Sequence, residues 1–201
     1  GNFNLSAGTI GGTDLSNSAT NGGGVYVSGG NVLITGEGTV ANNKASENGG
    51  GVCVANGNVT MIGGLIDKNI ALNGDGGGIY VSADGNDVKV QIISGSITNN
   101  NSSSSGGAVS VMGSTNGTET ITVIIGVDKV HYDDEGNRID CEHKEDDGTL
   151  FSLDCPLIEG NQASGKGGAI YITGGRKTYL NIYCLIEEEN VNPHNILAIT
   201  F

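Results

Sequence analysis

Gly49-Gly50-Gly51-Val52-Cys53-Val54 decides the fold, because the chain repeats it. The same phrase stands as Gly22-Gly23-Gly24-Val25-Tyr26-Val27 and as Gly76-Gly77-Gly78-Ile79-Tyr80-Val81. It returns as Gly106-Gly107-Ala108-Val109-Ser110-Val111 and Gly167-Gly168-Ala169-Ile170-Tyr171-Ile172. The intervals between first glycines are 27, 27, 30 and 61 residues. A degenerate copy, His194-Asn195-Ile196-Leu197-Ala198-Ile199, follows 27 residues after the last. A second marker, an aliphatic residue three before an Asn, keeps the same rhythm: Val40 with Asn43, Ile66 with Asn69, Ile97 with Asn100, Ile158 with Asn161. Between the markers lies a third apolar stretch: Val32-Leu33-Ile34, Val59 to Ile62, Val88 to Ile93, and Ile121 to Ile125.

Three short β-prone stretches per period of about 27 residues, parted by Gly, Asn and Ser turns, predict a parallel β-helix. No stretch has helical periodicity. The expected fold is an all-β, right-handed solenoid of about six to seven coils, stacked at about 4.8 Å. Alternation along each motif strand sends its first and third residues inward. Stacking then gives two aliphatic columns, Val25-Val52-Ile79-Val109-Ile170 and Val27-Val54-Val81-Val111-Ile172. The paired glycines permit positive φ and close approach of successive coils. Asn43, Asn69, Asn100 and Asn161 are read as turn residues that tolerate the left-handed region and stack as an amide ladder.

Composition agrees. Glycine is 36 of 201 residues, well above the roughly 7% of average usage. It has no three-residue period, and there are only 2 Pro, so collagen is excluded. The formal net charge is -13, with 9 Lys plus Arg and no basic cluster, which argues against nucleic acid and anionic membranes as partners. No apolar run is long enough to span a bilayer as a helix. Scarce charge also fits the stack, since like charges on adjacent rungs repel.

With those residues in hand, the chain resembles the repeats of polymorphic outer-membrane and autotransporter-type adhesins. It also resembles the Gly-Gly-Gly-Val-Tyr-Val repeats of large surface proteins of gut-type Gram-positive bacteria. Where the outer-membrane repeats have Phe three before the Asn, this chain has Val or Ile. The resemblance covers residues 5–112 and 155–200. It implies an extracellular, cell-surface module for attachment or display, with no cofactor and no catalytic residue carried over. Signal and anchor are expected outside 1–201. Gly8-Thr9-Ile10 matches Gly38-Thr39-Val40, so the chain is expected to open mid-coil as a fragment of a longer protein.

The 61-residue interval holds an insert, placed at 127–154 and dense in acid: Asp128, Asp133, Asp134, Glu135, Asp140, Glu142, Glu145, Asp146, Asp147 and Asp154. Val130-His131-Tyr132 and Arg138-Ile139-Asp140, around Asp133-Asp134-Glu135-Gly136-Asn137, read as a β-hairpin. Loops on rigid scaffolds carry function, so His131, Tyr132, Asp133, Asp134 and Glu135 are candidate ligand contacts for a carbohydrate or host surface protein. The alternative is a solvated decoration. The acidic tip lacks the Asp-X-Asp-X-Asp-Gly spacing and closing Glu of a calcium loop. Cys141 and Cys155 could form a disulfide that pins the loop, bind zinc with His131 and His143, or stay free. Tyr26, Tyr80 and Tyr171 share one outward column with Cys53 and Ser110, either as a sugar-stacking face or as ordinary exposed-strand residues.

The expected function is a non-catalytic surface module, an adhesin or stalk displaying a binding loop. Two alternatives stand beside it. One is a carbohydrate-active β-helix enzyme, a polysaccharide lyase or hydrolase, which requires carboxylates converging with Lys or Arg on one strand face. The other is a pure spacer.

Overall fold

The computed structural model describes residues 1–114, 117–126 and 156–182 in full. It describes the backbone alone of the strands His131–Tyr132, Arg138–Ile139, Glu142–Lys144, Leu150–Ser152 and Leu197–Thr200. Among the described residues every regular element is a strand. The chain winds as a parallel β-solenoid with three sheets. One coil runs through Val52–Ala55 of the motif sheet, Gly57–Asp67 of the major sheet and Ile70–Ala71 of a minor sheet. It re-enters the motif sheet at Ile79–Ala83. From Phe3–Leu5 to Thr120–Ile125 the major sheet is crossed by successive parallel neighbours, which makes about four turns. After residues 127–155 each sheet gains another rung. Six successive strands make up the main path of the major sheet and six the motif sheet. Residues 3–27 supply a rung to every sheet, so the first coil is fuller than its sequence implies.

The motif strands stack in the register that the repeat dictates. Val52, Ile79, Val109 and Ile170 face one another, and Val54, Val81, Val111 and Ile172 do the same beside them. All eight are fully buried. Val25 is nearly so, and Val27 on the first rung is partly covered. Val59, Met61, Ile66, Val90, Ile92 and Ile97 of the major sheet close the core from the other side. Burying each such side chain contributes about 1.5–3 kcal/mol. The copy at Leu197–Thr200 pairs with Ile170–Thr173, as its 27-residue spacing requires.

The motif glycines divide their work. Gly49 turns the corner at φ 65°, as do Gly22, Gly76, Gly106 and Gly167 at nearly the same angle. Gly50 has no unusual φ but no room: a Cβ there would lie 2.5 Å from the Gly77 carbonyl oxygen and from the backbone of Ile70. Parallel hydrogen bonding runs on through this corner, with Gly50 N donating to Gly76 O at 3.0 Å and Gly51 N to Gly77 O at 3.1 Å.

Three expectations change. The second and third apolar stretches of a coil are one bent strand, as in Gly57–Asp67. Gly63 and Gly64, at φ 99° and 82°, bend it, and register shifts there keep the pairing on either side. The third sheet comes instead from two-residue strands just after each marker Asn, Lys44–Ala45, Ile70–Ala71, Asn101–Ser102 and Gln162–Ala163. Their small second residues, Ala45, Ala71, Ser102 and Ala163, are buried. Finally, Asn43, Asn69, Asn100 and Asn161 are not the left-handed residues. That conformation belongs to the residue before each one, Asn42, Lys68, Asn99 and Gly160, at φ between 53° and 62°. The reversal at that residue aims the following side chain, the Asn, into the core.

The insert carries two antiparallel hairpins rather than one. His131–Tyr132 pairs with Arg138–Ile139 as expected, and Glu142–Lys144 pairs with Leu150–Ser152. Asp133, Asp134, Glu135, Cys141 and Cys155 lie outside the described residues.

Candidate functional site

Inside the solenoid the marker asparagines form a continuous, buried ladder. Asn69 is 0% exposed. Its Nδ2 donates forward to Asn100 Oδ1 at 3.0 Å and backward to the Val40 carbonyl at 2.9 Å. Its Oδ1 accepts from Asn43 N at 2.9 Å and Asn43 Nδ2 at 3.1 Å. That uses the full capacity of a side-chain amide. Asn43 and Asn100 repeat the pattern, with Asn43 Nδ2 donating to Ile10 O and Asn100 Nδ2 donating to Ile66 O and Asn161 Oδ1. Each rung thus ties three coils. Asn17 joins by donating to Asn43 Oδ1 at 2.9 Å. It escapes the sequence marker because Asp14, three before it, is not aliphatic. From Asn43 to Asn161 the ladder is buried and structural, with no face open to a ligand.

A second amide column stands on the outer face of the major sheet. Asn58 Nδ2 donates to Asn31 Oδ1 at 2.9 Å, and Asn31 Nδ2 donates to Asn2 Oδ1 at 3.3 Å. Lys89 N donates to Asn58 Oδ1 at 2.8 Å, which continues the column by one rung. Beside it Asn4, Leu33, Thr60 and Gln91 face one another in register. Together they line a shallow groove of about 500 Å³ floored by Val32 and Leu33. The 27-residue interval between Asn31 and Asn58 was present in the sequence, where the stronger apolar period of the same strand obscures it. So was a third set, Asn21, Asn48 and Asp75. Asn48 N donates to Asn21 Oδ1, Asp75 N to Asn48 Oδ1 and Ser105 N to Asp75 Oδ1.

The tyrosine column keeps its expected register: Tyr26, Cys53, Tyr80, Ser110 and Tyr171 are successive partners. Its surface is not flat. Tyr26 is 55% exposed, whereas Cys53 and Ser110 are buried. Tyr80 is partly covered, and its hydroxyl sits 3.3 Å from Met112 Sδ. Burial pushes the Cys53 thiol up to about 12. Burial, with the nearby charges of Asp75 and Cys53, pushes the Tyr80 hydroxyl up to about 12. Cys53 is thus an inert thiol at neutral pH.

Asp67 is the described carboxylate with the most developed surroundings. Burial alone would raise its pKa, but hydrogen bonds from Asn99, Thr98 and Lys68 outweigh burial and hold it below its usual range. Thr98 Oγ1 lies at 2.8 Å, Asn99 Nδ2 at 2.9 Å and Lys68 Nζ at 3.2 Å. Glu119 is buried where it closes the turn from Ser114, whose backbone N–H it accepts. Among the described residues no two charged side chains oppose each other in the parallel ladders, and the Asp67 column alternates Ala41, Asp67, Thr98 and Glu159.

No helix among the described residues is long and apolar enough to cross a membrane. No curated protein and no solved structure matches the chain. Residues 157–173 match the family model of the Chlamydia polymorphic membrane protein repeat. This stretch runs from the strand before Asn161 to the end of the motif strand Ile170–Thr173, and thus holds both markers of one coil. This coil is similar to a polymorphic-membrane-protein repeat.

Proposed function

We propose that this chain is a non-catalytic, cell-surface-attached module of a bacterial surface protein, an adhesin or stalk segment that holds residues 127–154 out from a rigid rod. The polymorphic-membrane-protein repeat at residues 157–173 carries the reading. The mechanics support it. Each coil is tied to its neighbours by parallel strands and by a buried amide ladder, so the rod keeps whatever projects from it at fixed height and direction. The two hairpins leave the scaffold between Ile125 and Leu157, at the break between two major-sheet strands, where an insertion costs the stack no rung. A carbohydrate or a host surface protein is the partner class expected there.

Antibodies raised against the whole chain test the location. They should label intact cells of the source organism, and labelling only after permeabilisation would sink the proposal. Host-cell and matrix binding by the intact chain, lost when 127–154 is replaced by a short Gly-Ser turn, would establish the display role. Equal silence of both chains would reduce the module to a spacer. Release of reducing ends from a polysaccharide panel would replace it with an enzyme.

A further inference from the structure

The groove on the outer face of the major sheet is lined by amides and nearly free of charge. The chain carries a net charge of -13, yet no carboxylate lines this groove and Lys89 is its single charge. Amides dominate the lining: Asn2, Asn4, Asn31, Asn58 and Gln91. Their orientation is set before any ligand arrives. Asn31 and Asn58 are clamped rung to rung, each with one Nδ2 proton and its Oδ1 engaged. One Nδ2 proton and one Oδ1 lone pair of Asn58 stay open to solvent. Binding groups whose rotamers are already fixed lose little entropy when a ligand docks.

Three partner classes fit poorly. A polyanion would need more than one cation. A protein interface of useful affinity is built on Trp, Tyr or Arg anchors in a desolvated centre, and the groove lining holds none. A lipid surface would need a larger apolar patch than Leu33 provides. A neutral sugar chain fits all of the features. Its hydroxyls both donate and accept, as side-chain amides do, and its C–H face can rest on the half-buried Leu33. Its residues can step along rungs that recur at about 4.8 Å. The geometry points to a binding strip for a neutral polysaccharide, lying along the solenoid axis across Asn31, Asn58, Thr60 and Gln91. This rests on the surface-module reading only for access to such a polymer, and it differs from that reading in placing contact on the rod itself.

The test uses the whole chain and side-chain amide NMR, with soluble glucan, mannan and galactan as neutral probes and polygalacturonate as the acidic one. A neutral probe should shift the Asn31, Asn58 and Gln91 amides. Asn58→Ala or Gln91→Ala should weaken it about tenfold, with an unchanged urea midpoint showing the variant folded. Tyr26→Ala should leave affinity unchanged. The proposal is overturned if no neutral probe shifts those amides, or if polygalacturonate shifts them more strongly. Perturbations confined to residues 127–154 would overturn it as well, while leaving the display role standing.

Discussion

Two columns of asparagine run up this rod at nearly the same period, one inside and one outside. Inside, Asn69 has four side-chain hydrogen bonds and no exposure. Outside, Asn58 has two and lies at the rim of a groove. From amide to amide, the inner column donates toward the following coil and the outer one toward the preceding coil. The residue type and the stacking are the same, so environment alone separates a structural role from an available one. A buried amide must be satisfied by the protein, because leaving it unpaired is costly. An exposed amide can leave half its capacity to water, and therefore to a ligand.

The contrast breaks most sharply at Asn69→Ala. Removing that amide leaves Asn43 N without its partner and takes one bond each from Asn43 Nδ2, the Val40 carbonyl and Asn100 Oδ1 in a dry interior. The expected loss is about 4 kcal/mol in a urea titration. A loss below that of an exposed substitution would show that the inner ladder does not hold the coils. Next comes the corner that seats this ladder. Gly50→Ala drives a Cβ into the Ile70 and Gly77 backbones and should cost about 2–3 kcal/mol. Gly51→Ala should cost less, because Ala108 and Ala169 already occupy the equivalent place in later coils.

The tyrosine column lies between the two extremes, and pH reads it. Cys53 and Tyr80 keep their protons in the folded chain up to about 12, against ordinary values of 9.0 and 10.0. Both folded pKa values are raised, so the stabilisation is complete below the unfolded values. It is lost as pH rises from about 9 toward 12. Urea midpoints across that range should fall, and Cys53→Ala should flatten the decline. A flat profile in the wild-type chain would place both groups in water.

Two smaller effects complete the series. Lys68 holds a left-handed φ of 53° where the equivalent positions carry Asn42, Asn99 and Gly160. Lys68→Asn should therefore stabilise the fold by about 0.5 kcal/mol, seen as a small rise in melting temperature. The outer column sets the floor: Asn58→Ala should change stability by less than about 0.5 kcal/mol. A larger change would turn the outer amides into structural ones.

Much of this was written in the repeat. A Val or Ile at the first and third places of each motif strand leaves no other face for a core, and five copies at matched spacing fix the register of the motif sheet. The amide ladder was legible for Asn43, Asn69, Asn100 and Asn161, because a polar residue locked to an apolar period has to be satisfied by its own copies. The reading of those asparagines as left-handed turn residues failed because one residue of offset separates the backbone reversal from the side chain it redirects. The minor sheet was missed because a two-residue strand has no periodicity to detect.

By itself, then, the sequence determined the solenoid, the inward columns and the amide ladder, since each depends only on period and residue type. The tertiary structure alone decided that Gly63 and Gly64 fuse two stretches into one bent strand, and that Tyr80 is partly covered while Tyr26 is open. It also decided that Asn31 and Asn58 meet Gln91 across a groove. Those outcomes depend on which atoms of neighbouring coils come within a few ångströms, and that distance is not encoded in any one repeat.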